Sequence, residues 1–161
     1  MRRLPDALVY VALEVAHGLA HLEGRPLLRQ AAFRRAVSGA YYAVFHALCA
    51  VCADEMVGWS KTGTHDPIYR TVDHRTARNR LLSPRAAAIK MDLKRVGLLF
   101  AHLQDQRHAA DYSPPSPLFS QRQVDSLIDQ AREAIALIEA LSQKDERLRL
   151  AILLIAHDRA L

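Results

Sequence analysis

With 161 residues, 50% of them hydrophobic and 24% charged, the chain has material for one domain, residues 1–161. Such a domain buries about 70% of its unfolded surface and needs no disulfide or structural metal. The net charge of +5 is concentrated, because between His65 and Arg95 eight Arg and Lys residues stand against Asp66, Asp73 and Asp92, a local +5. That excess leans weakly towards an anionic partner, and the lack of any apolar run of about 18 residues argues against a membrane span, so the expected location is cytoplasmic.

Six helical segments and no strand are predicted, which makes the fold class all-α. The first opens at Asp6, an N-cap after Pro5, and repeats Leu8, Ala12, Val15, Leu19 and Leu22 until Gly24-Arg-Pro26 stops it. Its opening Met-Arg-Arg-Leu-Pro-Asp lacks the short apolar core and cleavage site of a signal peptide. The second and longest segment runs from about Leu27 to Met56 and ends at Gly58. At about 100° per residue, Val37, Ala40, Val44, Leu48 and Val51 form one stripe, which Tyr41 and Phe45 widen. Ser38, Tyr42 and His46 form a second line, offset from the first. A buried hydroxyl or imidazole without a partner costs roughly 1–3 kcal/mol, so this line needs hydrogen-bond partners elsewhere in the chain. Cys49 and Cys52 lie three apart on the same segment, with no second pair to complete a zinc site, and read as small apolar residues.

A polar loop, Gly58 to Pro67, precedes a short helix from about Ile68 to Leu81 that carries Arg70, Arg75, Arg78 and Arg80. These four arginines are candidate phosphate contacts, or a solvated helix face. Ser83-Pro84 supplies an N-cap and a first-turn proline for the next helix, whose inward stripe is Ile89, Leu93, Val96, Phe100 and Leu103. Asp111-Tyr-Ser-Pro-Pro-Ser-Pro117 is a crossing loop, and Ser120 caps a clean amphipathic helix through Val124, Leu127, Ile128, Ala131, Ile135, Ile138 and Leu141. From Asp145 to His157 hardly any polar face remains, so a partner subunit is expected to cover that last helix.

Arg107-His-Ala-Ala-Asp-Tyr-Ser-Pro114 is the second dense cluster. At a helix end Arg107 and His108 suit the orphan carbonyls. Alternatively Arg107, Asp111 and Tyr112 dock against the polar line of the second helix, with Asp111 or Tyr112 meeting Tyr42 or His46 in a buried network. Two looser Arg–His pairs exist, Arg70 with His74 and Arg95 with His102. No His, Asp or Glu grouping has the paired spacing of a bundle metal centre, so no metal or cofactor is expected.

The blocks Ser38-Gly-Ala-Tyr-Tyr-Ala-Val-Phe-His46, Thr62-Gly-Thr-His65 and Arg107-His-Ala-Ala-Asp-Tyr-Ser-Pro114 occur in this order, and together they resemble the HEPN superfamily of small helical proteins. The resemblance spans roughly residues 30–115. It implies an HEPN-like bundle of about five to six helices with a long second helix, a homodimer, and a place in a toxin–antitoxin, defence or stress system. It also implies an RNA or protein partner, such as an antitoxin or a nucleotidyltransferase served by this chain as its helical subunit. Catalytic members are metal-independent endoribonucleases with an Arg-x(4–6)-His motif, which here points to Arg107. The fifth position after it is Tyr112, and a phenol of ordinary pKa about 10 is a poor base. The resemblance therefore implies a degenerate motif, or a ribonuclease that recruits His108 beside Arg107 or uses Arg95 with His102.

Overall fold

The computed structural model describes residues 4–58, 62–114, 116–141 and 144–156. Its helices are α1 Leu4–Ala20, α2 Pro26–Met56, α3 Thr62–Tyr69, α4 His74–Leu81, α5 Pro84–Ile89, α6 Asp92–Tyr112, α7 Gln121–Glu139 and α8 Lys144–Ile155. Among the described residues there is no strand, and the chain is an all-α bundle.

Six predicted segments become eight helices because local chemistry interrupts two of them. Asp73 is extended and its side chain accepts from the Thr76 N–H at 2.8 Å, which starts α4 afresh instead of continuing α3. Lys90 is likewise extended, at φ −158° and ψ 136°, and ends α5 before α6 begins. The expected polar loop is shorter than predicted, since α3 starts at Thr62 and runs through Pro67. The side chains of Thr62, Thr64 and His65 lie outside the described residues.

α2 is the axis of the bundle. α1 lies along one side of it, and α6, α7, α8 and α3 occupy the others. Small residues make this close assembly workable, with Ala36, Ala40, Ala43, Ala47, Ala50 and Ala53 all buried on α2. The helix passes the length and composition test for a membrane span that its sequence had not suggested, yet 78% of its most apolar window is covered by the other helices. α7 follows the predicted pattern closely. Ser120 and Gln123 form a reciprocal capping box, and Val124, Leu127, Ile128, Ala131, Ile135 and Ile138 are buried.

The expectation that α8 needs a partner subunit is corrected. Leu150, Ala151, Leu153 and Leu154 are buried inside the chain, because α4 and α5 turn back over α8 while α2 supports it from below. Polar tethers fix the same arrangement: Arg147 pairs with Glu55 at 2.6 Å and Lys90 with Glu146 at 3.6 Å. Arg80 donates to the Leu153 carbonyl at 2.9 Å, at the helix end where a cation is favoured.

One backbone crossing positions the site. An ideal Cβ on Gly97 of α6 would lie 2.5 Å from the Leu81 carbonyl oxygen at the end of α4, so only glycine lets these two helices approach so closely.

Candidate functional site

The residues on the α3, α4 and α6 side of α2 form one continuous polar and aromatic cluster. Tyr41 and Tyr42 meet edge to face, with ring centroids 5.4 Å apart. Arg107 arrives from α6: its Nη2 donates to the Tyr42 hydroxyl at 2.9 Å, and its Nε sits 2.7 Å from Asp111 Oδ2. That second contact is an ion pair without hydrogen-bond alignment. The guanidinium also lies over the Tyr42 and Tyr41 rings, at 5.3 and 5.8 Å from their centroids. Burial opposes its charge, but Tyr42 and Asp111 outweigh that cost and hold the arginine above its ordinary pKa. The side chains of both Arg107 and Asp111 remain about one-fifth exposed, so the clasp borders solvent.

His74, at the start of α4, completes the other side of the cluster. Its Nδ1 is 2.6 Å from the Tyr41 hydroxyl and its ring stacks on Phe45 with centroids 3.9 Å apart. His46 meets Tyr69 of α3 in the same way, Nδ1 to hydroxyl at 2.6 Å. Burial lowers the pKa of His46. Burial first, and then Arg107, lowers that of His74, against a weaker opposing pull from Asp73. Burial also raises the pKa of Tyr41 and Tyr69. In both pairs, then, a protonated phenol is hydrogen-bonded to a neutral imidazole. These contacts flank a cleft of about 410 Å³ lined by Phe45, Cys49, Tyr69, Arg70 and Val72 through His74. Burial pushes the Cys49 thiol up to about 12 and the Cys52 thiol higher still, so neither is a nucleophile.

Several expectations change. Tyr42 does reach the α6 motif, but through Arg107 instead of Asp111 or Tyr112. His46 pairs with Tyr69, not with Asp111. Tyr112 is 67% exposed and does not reach Tyr42 or His46; its ring packs against His108, 4.8 Å away, and lies 6.0 Å from the Arg107 guanidinium at the solvent edge of the clasp. Ser38 is buried one turn before Tyr42, as its stripe requires. The orphan carbonyls that end α6 are served by Arg34 of α2, which donates to Ala110 at 3.2 Å and Ser113 at 2.7 Å. Arg107 and His108 are therefore not the cap.

Half of the basic segment is engaged within the fold. Arg78 forms a two-pronged pair with Asp105 and also donates to the Ala101 carbonyl at 3.2 Å. Arg95 pairs with Glu133 at 2.7 Å, which commits the arginine of the Arg95–His102 candidate. Counting the partners Asp105, Glu133 and Glu146 against the segment's +5 leaves +2. Arg70, Arg75, Arg85 and Lys94 remain exposed. Arg70 and His74 do not share a helix, since Arg70 follows the end of α3 and His74 opens α4, but both line the same cleft. Among the described residues no three metal-binding side chains converge.

His46 and His74 make stability depend on pH. Both folded-state pKa values lie below the ordinary 6.5, so near pH 6 the unfolded chain holds more protons than the folded one. Their contribution is complete above about pH 7 and is lost as pH falls through 6.5 towards the folded values, by at most about 1.4 kcal/mol per histidine per pH unit. Urea titrations at pH 7.5 and 5.5 are expected to differ by about 1–2 kcal/mol. His74→Gln should reduce that difference and leave the share of His46; an unchanged difference would remove His74 as a source.

No protein-family model, no curated protein and no solved structure matches this chain.

Proposed function

We propose that this chain is an HEPN-like helical protein that acts as a dimer by binding an RNA or protein partner in a toxin–antitoxin, defence or stress system, and that its motif arginine is a clasp instead of a catalyst. The observation that supports this reading is the engagement of Arg107. Its guanidinium is held by Tyr42, Asp111 and two aromatic faces, and the position where a ribonuclease would carry histidine holds the exposed phenol of Tyr112. A guanidinium already paired with a carboxylate and a phenol of its own chain has less to offer a phosphate in a transition state.

The test is incubation of the purified protein with total RNA, paired with expression in a bacterial host. No cleavage and no growth arrest are expected. If RNA is the partner and meets the basic segment, binding to a single-stranded oligomer should weaken with salt at a log–log slope of roughly −3, because Arg70, Arg75, Arg85 and Lys94 remain exposed to release counterions. Cleavage that disappears in a folded Arg107→Ala protein would overturn the reading.

One observation favours a second reading, an active metal-independent ribonuclease. The neutral imidazole of His74 and the cation of Arg107 flank the same Tyr41–Tyr42 pair beside an open cleft, which are the groups that moving a 2′-hydroxyl proton and holding a phosphate require. In that case His74→Ala would abolish cleavage while His108→Ala would not.

A further inference from the structure

We propose that His17 and His21 at the end of α1 and Asp125 of α7 form a binding site for a divalent transition ion, zinc foremost. The two histidines stand four residues apart, about one helical turn, so their side chains rise from the same face of α1. Helical pairing extends to the second of them, because the His21 N–H donates to the His17 carbonyl at 3.2 Å. Sequence alone gives this pair no third donor, and so no metal is expected from it. The fold supplies one, since α1 and α7 pack side by side and bring Asp125 Oδ1 to 3.3 Å from His21 Nε2.

That separation fits two ligands of one ion better than a direct pair. A charge-assisted hydrogen bond from an imidazole to a carboxylate closes to about 2.7–2.9 Å, whereas two donors on a tetrahedral zinc, each about 2.0–2.2 Å from it, stand roughly 3.3–3.5 Å apart. His21 and Asp125 are already placed so. The rings of His17 and His21 have centroids 4.5 Å apart and are tilted by 48°, neither a parallel stack nor an edge-to-face pair. Imidazoles bound at about 2.0 Å hold their centroids about 3.1–3.2 Å from the ion, so the observed spacing corresponds to a bite of roughly 90°. As the side chains stand, the three do not meet at one point. His17 is exposed, and turning it about its side-chain torsions brings in the third donor.

The surroundings orient the carboxylate, and the donor set selects the ion. Gln121, one turn earlier on α7, donates its Nε2 to Asp125 Oδ1 at 3.2 Å, and Arg29 of α2 donates to Gln121 Oε1 at 3.4 Å. Such outer partners hold a ligand in position before the ion arrives. Two imidazoles and one carboxylate suit zinc, nickel or copper, while magnesium and calcium take oxygen ligands. The side chains of His21 and Asp125 are 50% and 39% exposed, so water fills the remaining coordination and the ion exchanges with solvent. Occupancy then follows the free metal concentration, and the bound ion ties α1 to α7.

This inference takes nothing from the proposed function. The experiment is a calorimetric titration of zinc chloride into the full-length chain and into single variants, each checked by circular dichroism for unchanged helix content. One ion per chain is expected to bind. His17→Ala, His21→Ala and Asp125→Asn should each weaken binding at least about tenfold, the least that loss of even an outer partner costs. Asp129→Asn removes an exposed carboxylate one turn further along α7 and should leave the affinity within about twofold. Cys49 and Cys52 are buried in the folded chain and do not compete. Copper(II), which broadens the NMR signals of nuclei near it, should erase the amide peaks around His17 and His21 before any others. No binding below about 1 mM zinc, an affinity untouched by any one of the three ligand substitutions, an equal loss in Asp129→Asn, or broadening that begins elsewhere would each overturn the proposal.

Discussion

Gly97→Ala is expected to lower the stability of the chain by about 3 kcal/mol, and so to reduce Tm by roughly 6–12 °C for a domain of this size. Only one methyl group is added, and α6 would ordinarily welcome alanine. The cost comes from where that methyl points, since it would lie 2.5 Å from the Leu81 carbonyl oxygen and 2.8 Å from its carbon. Backbone atoms cannot rotate aside as a side chain can. Relief requires α4 to move away from α6, and α4 carries Arg78, whose pair with Asp105 crosses that boundary, and His74, which bonds Tyr41 of α2. Thermal melting and a urea titration measure the loss. A change under about 0.5 kcal/mol would show that the two helices slide apart freely and that the cluster around Tyr41 does not depend on their crossing.

How much of this was legible in the sequence follows from how local each feature is. The period of α7, its Ser120 cap and the proline that opens α5 are properties of neighbouring residues, and they survive folding unchanged. Asp73 with Thr76 three residues on was an equally local cap, and taking it as one would have separated α3 from α4. Other features depend on which surfaces meet. An apolar α8 announces that it is buried but not by what, and the short helices that cover it became available only once two longer predicted ones were divided. His74 lies 33 residues from Tyr41, and no periodicity links them. Arg34 looked like one charge among many, yet it closes the end of α6. A charge count along a segment has the same blindness, because Asp105, Glu133 and Glu146 come from other helices and neutralise part of it. In the Ser38–His46 block, Tyr42 and His46 needed partners and have them, in Arg107 and Tyr69, which are not the ones expected.

Arg107→Met is expected to cost about 2–3 kcal/mol, a fall in Tm of roughly 5–10 °C. The thioether keeps most of the packing volume but leaves the Tyr42 hydroxyl and the Asp111 carboxylate without their cation. Because both ends of the ion pair are partly exposed, water recovers some of the loss, which keeps the figure below that of a fully buried pair. Arg107→Lys should restore less than half, since an ammonium cannot reach Tyr42, approach Asp111 and lie over two aromatic rings at once. A double-mutant cycle with Tyr42→Phe isolates the contact between α2 and α6, and a coupling of about 1–2 kcal/mol is expected for neighbours in one network. A catalytic arginine behaves in the opposite way, because charges collected for chemistry are commonly held at a cost to the fold and their removal leaves stability unchanged or improved. If Arg107→Met melts at or above the wild-type temperature, the guanidinium is being stored for a ligand. If it melts well below, then the residue that a ribonuclease would spend on phosphate is used by this chain to join α6 to α2.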